Sequence, residues 1–261
     1  MAYAFVAWFS FRRYAAYRLA AVGDAISNTM FGFLRAYILI ALWGANPALG
    51  GYDSRDAVTF AFLTQALIGP VQIFGGMELT ERIRTGDVAI DLHRPADLQG
   101  WWLADDLGRA AFTVVGRGVI PMAAGWLVYG LRFPGPGRWL AFGLALLLAV
   151  VVSFAIRYLV ALIVFWVHDS RGVDSVMVVL SLFMSGMILP LVAFPGGFGA
   201  VATALPWSAL IQVPADVFLG KHTGWSLAGA YAFQLAWAVA LLAAGRLLTR
   251  IAHRRLVVNG G

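Results

Sequence analysis

The 261-residue sequence is 61% hydrophobic and 12% charged, with a mean hydropathy of +0.80, whereas soluble domains average about 45–50% apolar and about 25% charged residues. This composition excludes a soluble enzyme and a disordered chain. The net charge of +6 comes from cations scattered among apolar runs, which excludes a nucleic-acid-binding domain. We therefore predict an all-α integral membrane protein.

The chain opens with a stretch, residues 2–18, that combines aromatic side chains with Arg12, Arg13 and Arg18. This combination is typical of a helix that lies in the headgroup layer of a membrane. The alternative is that the stretch forms the frayed start of the first membrane-spanning helix. We favour the interfacial helix.

Six segments are apolar and long enough to cross a bilayer as helices, which takes about 20 residues. They are residues 22–43, 56–77, 106–131, 139–167, 174–193 and 226–248. Of the 19 Lys and Arg residues, 12 fall on the side of the N-terminus, four fall on the opposite side and three lie within the spans. Because cytoplasmic loops carry the excess of cations, we predict that both termini are cytoplasmic.

The longest hydrophilic stretch, residues 78–105, follows the second span and is predicted to be cytoplasmic. Gly86 and Pro95 interrupt it, and we expect Asp105 and Asp106 to cap the third span. Its mixed charge and paired tryptophans suit a loop that docks a cytoplasmic partner. A merely solvated linker is the alternative.

A second irregular segment, residues 186–224, lies before the last span on the outer side. It is too broken for one span and too apolar for a free loop, which favours short re-entrant helices over residues 194–214. A compact external loop is the alternative. The breaks that define the segment are Gly186, Pro190, Pro195, Pro206 and Pro214.

Three arginines, Arg35, Arg117 and Arg157, fall within predicted spans, where a charged side chain is by default a functional candidate. We favour the interpretation that they reach the membrane surface or serve as structural pairs, since each could lie within a few turns of an interface. The alternative is that they face a substrate path or a subunit interface, or pair with backbone carbonyls. We predict no acidic residue at a comparable depth, which argues against a proton-driven transporter.

The sequence offers no catalytic or metal-binding motif. It has no cysteine, its four histidines are isolated, and the polar turn at residues 168–174 is explained by its predicted cytoplasmic position. The only lysine, Lys221, is not part of a phosphate-binding loop. If the protein is driven by ATP, we expect the ATPase to be another polypeptide.

The two irregular segments, in this order among six spans, resemble those of a known family. The first contains Ile83-Arg84-Thr85-Gly86 followed by Leu92 and Pro95. The second contains Gly186, Pro190, Phe194-Pro195, Leu205-Pro206-Trp207, Pro214 and Leu219-Gly220. Over its whole length the chain resembles the permease subunit of a bacterial ATP-binding-cassette (ABC) exporter of the type-two export class, in its compact six-helix branch.

The resemblance implies a non-catalytic permease, one domain over residues 1–261, in the bacterial cytoplasmic membrane. It implies a second permease, identical or paralogous, and a separate ABC ATPase that carries ATP and Mg, so this chain itself holds no cofactor. Residues implied to form the coupling helix that contacts this ATPase are Glu78, Glu81, Arg82, Arg84, Gly86, Asp87 and Pro95. The outer segment is implied to close the exit.

Alternating access of a lipophilic or amphipathic cargo is the function that we expect from this resemblance and from the composition. One alternative is a membrane enzyme acting on lipid through Arg117, Arg157 and the turn at residues 168–174. Another is a secondary transporter, which the absence of matching broken segments in the two halves disfavours.

Overall fold

The structure is a computed structural model that describes residues 2–47, 49–167 and 171–259. Most of these residues are helical, and no strand occurs among them. The helices are α1 (Ala2–Ala15), α2 (Arg18–Ala45), α3 (Ser54–Val71), α4 (Glu78–Thr85), α5 (Val88–Leu92), α6 (Leu98–Tyr129), α7 (Pro136–Ile163), α8 (Arg171–Met184), α9 (Gly196–Ala204), α10 (Gln212–Leu219) and α11 (Trp225–Asn259), with 3₁₀ turns at Leu49–Gly51, Leu191–Ala193 and Pro206–Ala209.

Four helices are long and apolar enough to cross a membrane: Ala21–Ala45 of α2, Leu98–Tyr129 (α6), Pro136–Ile163 (α7) and Trp225–Ala252 of α11. They overlap four of the six predicted spans. The other two, at residues 56–77 and 174–193, coincide with the shorter helices α3 and α8. The prediction of an all-α membrane protein with several spans is confirmed, and crossing by α3 and α8 remains a proposal.

Helix α3 is the centre of the bundle, where it packs against α2, α6, α7 and α10. Phe60, Ala61 and Phe62 are fully buried, and Asp56 near its start is only 1% exposed. Asp53 and Asp56 cap its N-terminus reciprocally, each side chain accepting from the other's backbone N–H. Because protein surrounds this helix, it tolerates polar residues that a lipid-facing span of the same length would not.

Helix ends differ from those predicted at three places. Asp97, whose side chain accepts from the N–H of Gly100 at 2.7 Å, caps α6, so the expectation that Asp105 and Asp106 cap this helix was wrong. Helix α3 ends where Gln72 adopts a left-handed backbone conformation with φ of 46°. Helix α8 ends at Met184, two residues before Gly186 with φ of 85°.

The two irregular segments meet opposite ends of α3. Lys221, after α10, binds Asp56 at the start of α3 with an Nζ–Oδ2 distance of 2.6 Å. At the other end, the chain leaves α3 after Val71 and enters α4 only seven residues later, at Glu78. An 18-residue helix is about 27 Å long. Helix α3 therefore joins the predicted coupling loop to the predicted outer segment.

Helix α1 lies directly against α6, with which it makes extensive contact. The two backbones lie close together at Gly108, where a Cβ atom would overlap the carbonyl oxygen of Ala7. Arg13 extends the contact through its guanidinium, which lies 3.2 Å from Asp105 and 3.4 Å from Glu78. Helix α1 thus touches both α6 and the start of α4.

We expect Gly108→Ala to destabilise the protein by about 1–3 kcal/mol, because the methyl group forces the α1 and α6 backbones apart. Gly143→Ala in α7 is the matched control, since no described residue outside its own helix lies within 4 Å of the position a Cβ would take there. Thermal unfolding of the purified protein in detergent measures the stability of both variants. Equal melting temperatures for the two variants would refute the close contact.

Candidate functional site

The α4–α5 pair is anchored to the bundle by an apolar underside. Leu79 and Val88 are 0% and 1% exposed, and Ile83 is also buried. These side chains belong to a cluster that includes Tyr158 and Leu162 of α7. Gly86, at φ of 86°, turns the chain between the two short helices, a conformation that favours glycine. The loop is therefore packed against the bundle instead of projecting freely into solvent.

A bidentate ion pair holds the two short helices together. Arg82 donates through Nε to Asp91 Oδ2 at 2.6 Å and through Nη2 to Oδ1 at 2.9 Å, and the Asp91 side chain is only 3% exposed. The hydrogen bond to this carboxylate raises the pKa of Arg82 above its ordinary value. Arg94 lies 3.3 Å from the same carboxylate. Arg82 thus has an internal role that its sequence position did not reveal.

The other predicted contact residues lie at the exposed side of the loop. Glu81 and Arg84 form an exposed pair at 2.6 Å, and Thr85 donates to Asp87 at 2.9 Å. Gly86 and Pro95 are also exposed, whereas Glu78 is engaged by Arg13. We call the exposed surface formed by Glu81, Arg84, Asp87 and Ile90 the loop tip.

Ile90 is a residue of the loop tip that sequence reasoning missed. It is 61% exposed, although it follows the buried Val88 on the same five-residue helix. The available signal was its position between two aspartates in a hydrophilic stretch. An apolar side chain surrounded by charged ones is the pattern expected where a partner protein buries the centre of an interface.

The C-terminus of α3 is held by an arginine of α6 and a serine of α7. Arg109 of α6 donates to the carbonyl oxygens of Gly69 at 2.7 Å and Pro70 at 2.9 Å. Ser153 of α7 donates to the carbonyl oxygen of Val71. These donors satisfy the carbonyls of Pro70 and Val71 and add a second hydrogen bond to that of Gly69, which also accepts from the N–H of Gln72 at 3.3 Å. The cation also favours the negative end of the helix dipole.

A buried carboxylate links these groups into one cluster, which we call the clamp: Asp106, Arg109, Ser153 and Arg157. Asp106 accepts from Arg109 at 2.9 Å and from Arg157 at 2.7 Å. Arg157 also donates to Gln72 Oε1 at 3.0 Å. The clamp therefore fixes α3, α6 and α7 to one another at the point where the chain turns toward α4.

The three arginines predicted within spans have different surroundings. Arg157 pairs with Asp106, and Arg117 pairs with Asp24 of α2. The prediction that no acidic residue lies at a comparable depth was therefore wrong, because Asp24 and Asp106 each meet an arginine from another helix. Arg35 differs from both, since its hydrogen bonds go to the hydroxyl of Thr64 and the carbonyl oxygen of Ile188.

The outer segment contains a chain of short helical pieces connected by its glycines and prolines. Pro190 and Pro195 precede the turn Leu191–Ala193 and helix α9, Pro206 begins the next turn, and Pro214 lies in the first turn of α10. Gln234 of α11 donates to the carbonyl oxygen of Ala209 at 2.9 Å. The broken backbone is thus satisfied partly by side chains from the bundle.

A polar group joins this segment to the start of α3. Asp216 accepts from Tyr52, and Gln212 donates to Asp216 at 3.0 Å while accepting from the backbone N–H of Leu191 at 2.8 Å. Burial raises the pKa of the Asp216 carboxyl above its ordinary value, against the hydrogen bonds from Gln212 and Tyr52. These contacts hold α10 and the turn before α9 against the N-terminal end of α3.

A cleft of about 420 Å³ lies between α7, α8 and the turn after α3. Its lining is mostly apolar, with Arg157, Asp174 and Ser153 among its polar groups. Within residues 168–174, where a lipid enzyme would place its chemistry, His168 and Asp169 lie outside the described residues. Among the described residues, no group of three His, Asp or Glu side chains is arranged to hold a metal ion.

Comparison with protein families decides the class of this bundle. A family model described as "ABC-2 family transporter protein" matches residues 28–260. The chain belongs to the ABC-2 transporter family. A search of curated proteins found no match. The resemblance inferred from the two irregular segments is thereby confirmed for nearly the whole chain.

Membership places this ABC-2 protein among multi-pass membrane proteins that are generally non-catalytic transport subunits. The geometry fits such a role better than lipid chemistry, since Arg117 and Arg157 are each engaged by a carboxylate of the same chain. In this ABC-2 chain, α3 connects the loop and the clamp at one end to the outer segment at the other.

Proposed function

We propose that this ABC-2 protein is the membrane-spanning permease subunit of an ABC exporter, in which six helices (α2, α3, α6, α7, α8 and α11) cross the bacterial cytoplasmic membrane. Both termini lie in the cytoplasm, as the distribution of cations supports. Helix α1, whose Phe5, Trp8 and Phe9 are exposed, lies in the headgroup layer. The chain pairs with a second permease, identical or paralogous, and its cargo is lipophilic or amphipathic.

The coupling loop, residues 78–105, docks onto a separate ATPase that carries ATP and Mg. The observation that carries this proposal is the continuous connection through α3. The loop tip is exposed, its underside is packed on α7, and the clamp fixes the adjoining end of α3 to α6 and α7. A displacement of the docked loop is therefore transmitted to packed helices instead of being absorbed by a flexible linker.

At its other end, α3 contacts the segment that we propose to form the outer gate, residues 194–214 with its flanking turns. Asp56 there binds both Lys221 at 2.6 Å and Arg132 at 2.7 Å. Closure of an ATPase dimer would bias the bundle between two packings, one open to each side of the membrane, which is the two-state behaviour that alternating access requires.

Capture of the tagged full-length chain from membranes of its native host tests the proposed function. We expect an ABC ATPase in the eluate. The eluate should hydrolyse ATP, and this activity should be lost when the catalytic residues of that ATPase are altered. The same complex in sealed vesicles should move an amphipathic fluorophore only with ATP. A chain that transports without any ATPase would overturn the proposal in favour of a secondary transporter.

A further inference from the structure

Arg35 lies deep within the apolar part of α2, residues Ala21–Ala45. It is ten residues from Ala45, or about 15 Å along the helix axis. Its guanidinium donates to the hydroxyl of Thr64 in α3 and, at 3.1 Å, to the carbonyl oxygen of Ile188. Its Nε is buried and has no acceptor among the described residues.

No carboxylate of the described residues lies within ion-pair distance of Arg35, unlike Arg117 and Arg157. Hydroxyl and carbonyl oxygens accept its hydrogen bonds but leave a full positive charge in a region of low dielectric. Such a charge is costly and is normally balanced by an opposite charge. The chain alone therefore provides an incomplete site for an anion.

The surroundings of Arg35 limit which molecule can supply this anion. A bilayer phosphate lies at the headgroup layer, well away from the middle of α2. Among the described residues, a second copy of this chain brings no unpartnered carboxylate to that depth. Asp24, Asp56 and Asp106 are each already bound to a cation, and Asp216 is held by Tyr52 and Gln212. An anion that enters with the cargo remains.

The backbone beside Arg35 is suited to such a cargo. The carbonyl of Ile188 belongs to the irregular stretch between Gly186, at φ of 85°, and Pro190. Non-helical backbone at membrane depth persists where it is packed against protein or lines a cavity. Arg35 therefore projects from α2 to the start of the segment proposed as the outer gate.

We infer that Arg35 binds the anionic group of an amphipathic substrate, a carboxylate, phosphate or sulfonate attached to an apolar body. This inference rests on the proposed transport function and adds the charge of the cargo to it. The site is the guanidinium of Arg35, with Thr64 and Ile188 fixing its orientation.

Two matched probes test the inference: dansyl-undecanoic acid and its methyl ester, which differ by one negative charge. The captured complex is placed in nanodiscs of phosphatidylcholine, which carries no net charge, and binding is followed by dansyl fluorescence at pH 8 without ATP. The variants are Arg35→Gln and Arg35→Lys. Arg117→Gln is the control, because it removes an intramembrane cation that is paired within the chain.

We expect the wild type and Arg117→Gln to bind the acid about tenfold or more tightly than the ester, as a charged hydrogen-bonded contact would give. Arg35→Gln should bind the two probes equally, and Arg35→Lys should retain part of the preference. Equal binding of acid and ester by the wild type would overturn the inference and indicate that a carboxylate of a paralogous permease balances Arg35. A preference that survives Arg35→Gln would also overturn it.

The same samples separate this inference from the proposed function. ATPase content and ATP hydrolysis are measured on each captured complex. A complex that hydrolyses ATP but shows no preference for the acid contradicts only the role of Arg35. A chain that prefers the acid but captures no ATPase contradicts the exporter function and leaves the anion site standing.

Discussion

Asp106→Asn is expected to lower the free energy of unfolding by about 3–5 kcal/mol, the cost typical of removing one partner from a buried ion pair. Asp106 is the carboxylate that balances both Arg109 and Arg157 in the clamp, and its side chain is 6% exposed. With asparagine in its place, two guanidinium groups would remain close together without a counter-charge. Repulsion between them would also weaken the hold of Arg109 on the last carbonyls of α3 and that of Arg157 on the side chain of Gln72.

Asp105→Asn is the matched control for this variant. Asp105 is the neighbouring residue on α6, but its side chain is 21% exposed and its partner Arg13 is 47% exposed. An ion pair near the surface contributes about 0–1 kcal/mol, so this variant should melt close to the wild type. Melting in detergent and unfolding by SDS titration measure both variants. If the two variants lose stability equally, the clamp is not the site that fixes α3.

Ile90→Asp is expected to reduce capture of the ATPase about thirtyfold, which corresponds to about 2 kcal/mol for a residue at the centre of an interface. Ile90 is the exposed apolar residue of the loop tip and contributes nothing to the buried underside of the loop. Arg84→Glu, which reverses an exposed charge beside it, should act in the same direction. Neither variant should change the melting temperature of the isolated chain.

Two further variants on the same loop test whether a loss of ATPase capture is specific to the loop tip. Arg82→Glu should lower both ATPase capture and thermal stability, because a glutamate would face the buried Asp91 instead of binding it. His93→Ala, on the same loop but outside the loop tip, should change neither. Full capture of the ATPase by Ile90→Asp would place the docking surface elsewhere on the chain.

Some of the fold follows from local sequence. The long apolar runs around residues 22–43, 106–131, 139–167 and 226–248 predicted helices that the structure contains, because length and hydropathy alone decide whether a segment can cross a bilayer. The break at Gly86 was also predictable from local sequence, because glycine is the residue that most readily leaves the helical conformation. It adopts φ of 86°, a conformation that disfavours other residues.

Helix ends were less predictable, because they depend on which local contact prevails. The start of α6 was predicted at Asp106, where the apolar run begins, but Asp97 caps the helix nine residues earlier. The amphipathic turns between them are stabilised by contact with α1, which hydropathy does not report. The end of α3 is likewise set by Gln72, a residue with no strong preference for the left-handed conformation that it adopts.

The sequence by itself determined that this protein is an all-helical membrane protein, that a charged loop follows its second apolar segment, and that its family is the ABC-2 transporters. Only the tertiary structure decided which charges are balanced. Asp106 and Arg157 are 51 residues apart, and Arg35 has no such partner among the described residues. Hydropathy is a property of each segment, whereas neutralisation of a charge depends on the distance between segments, and that distance exists only once the helices have packed.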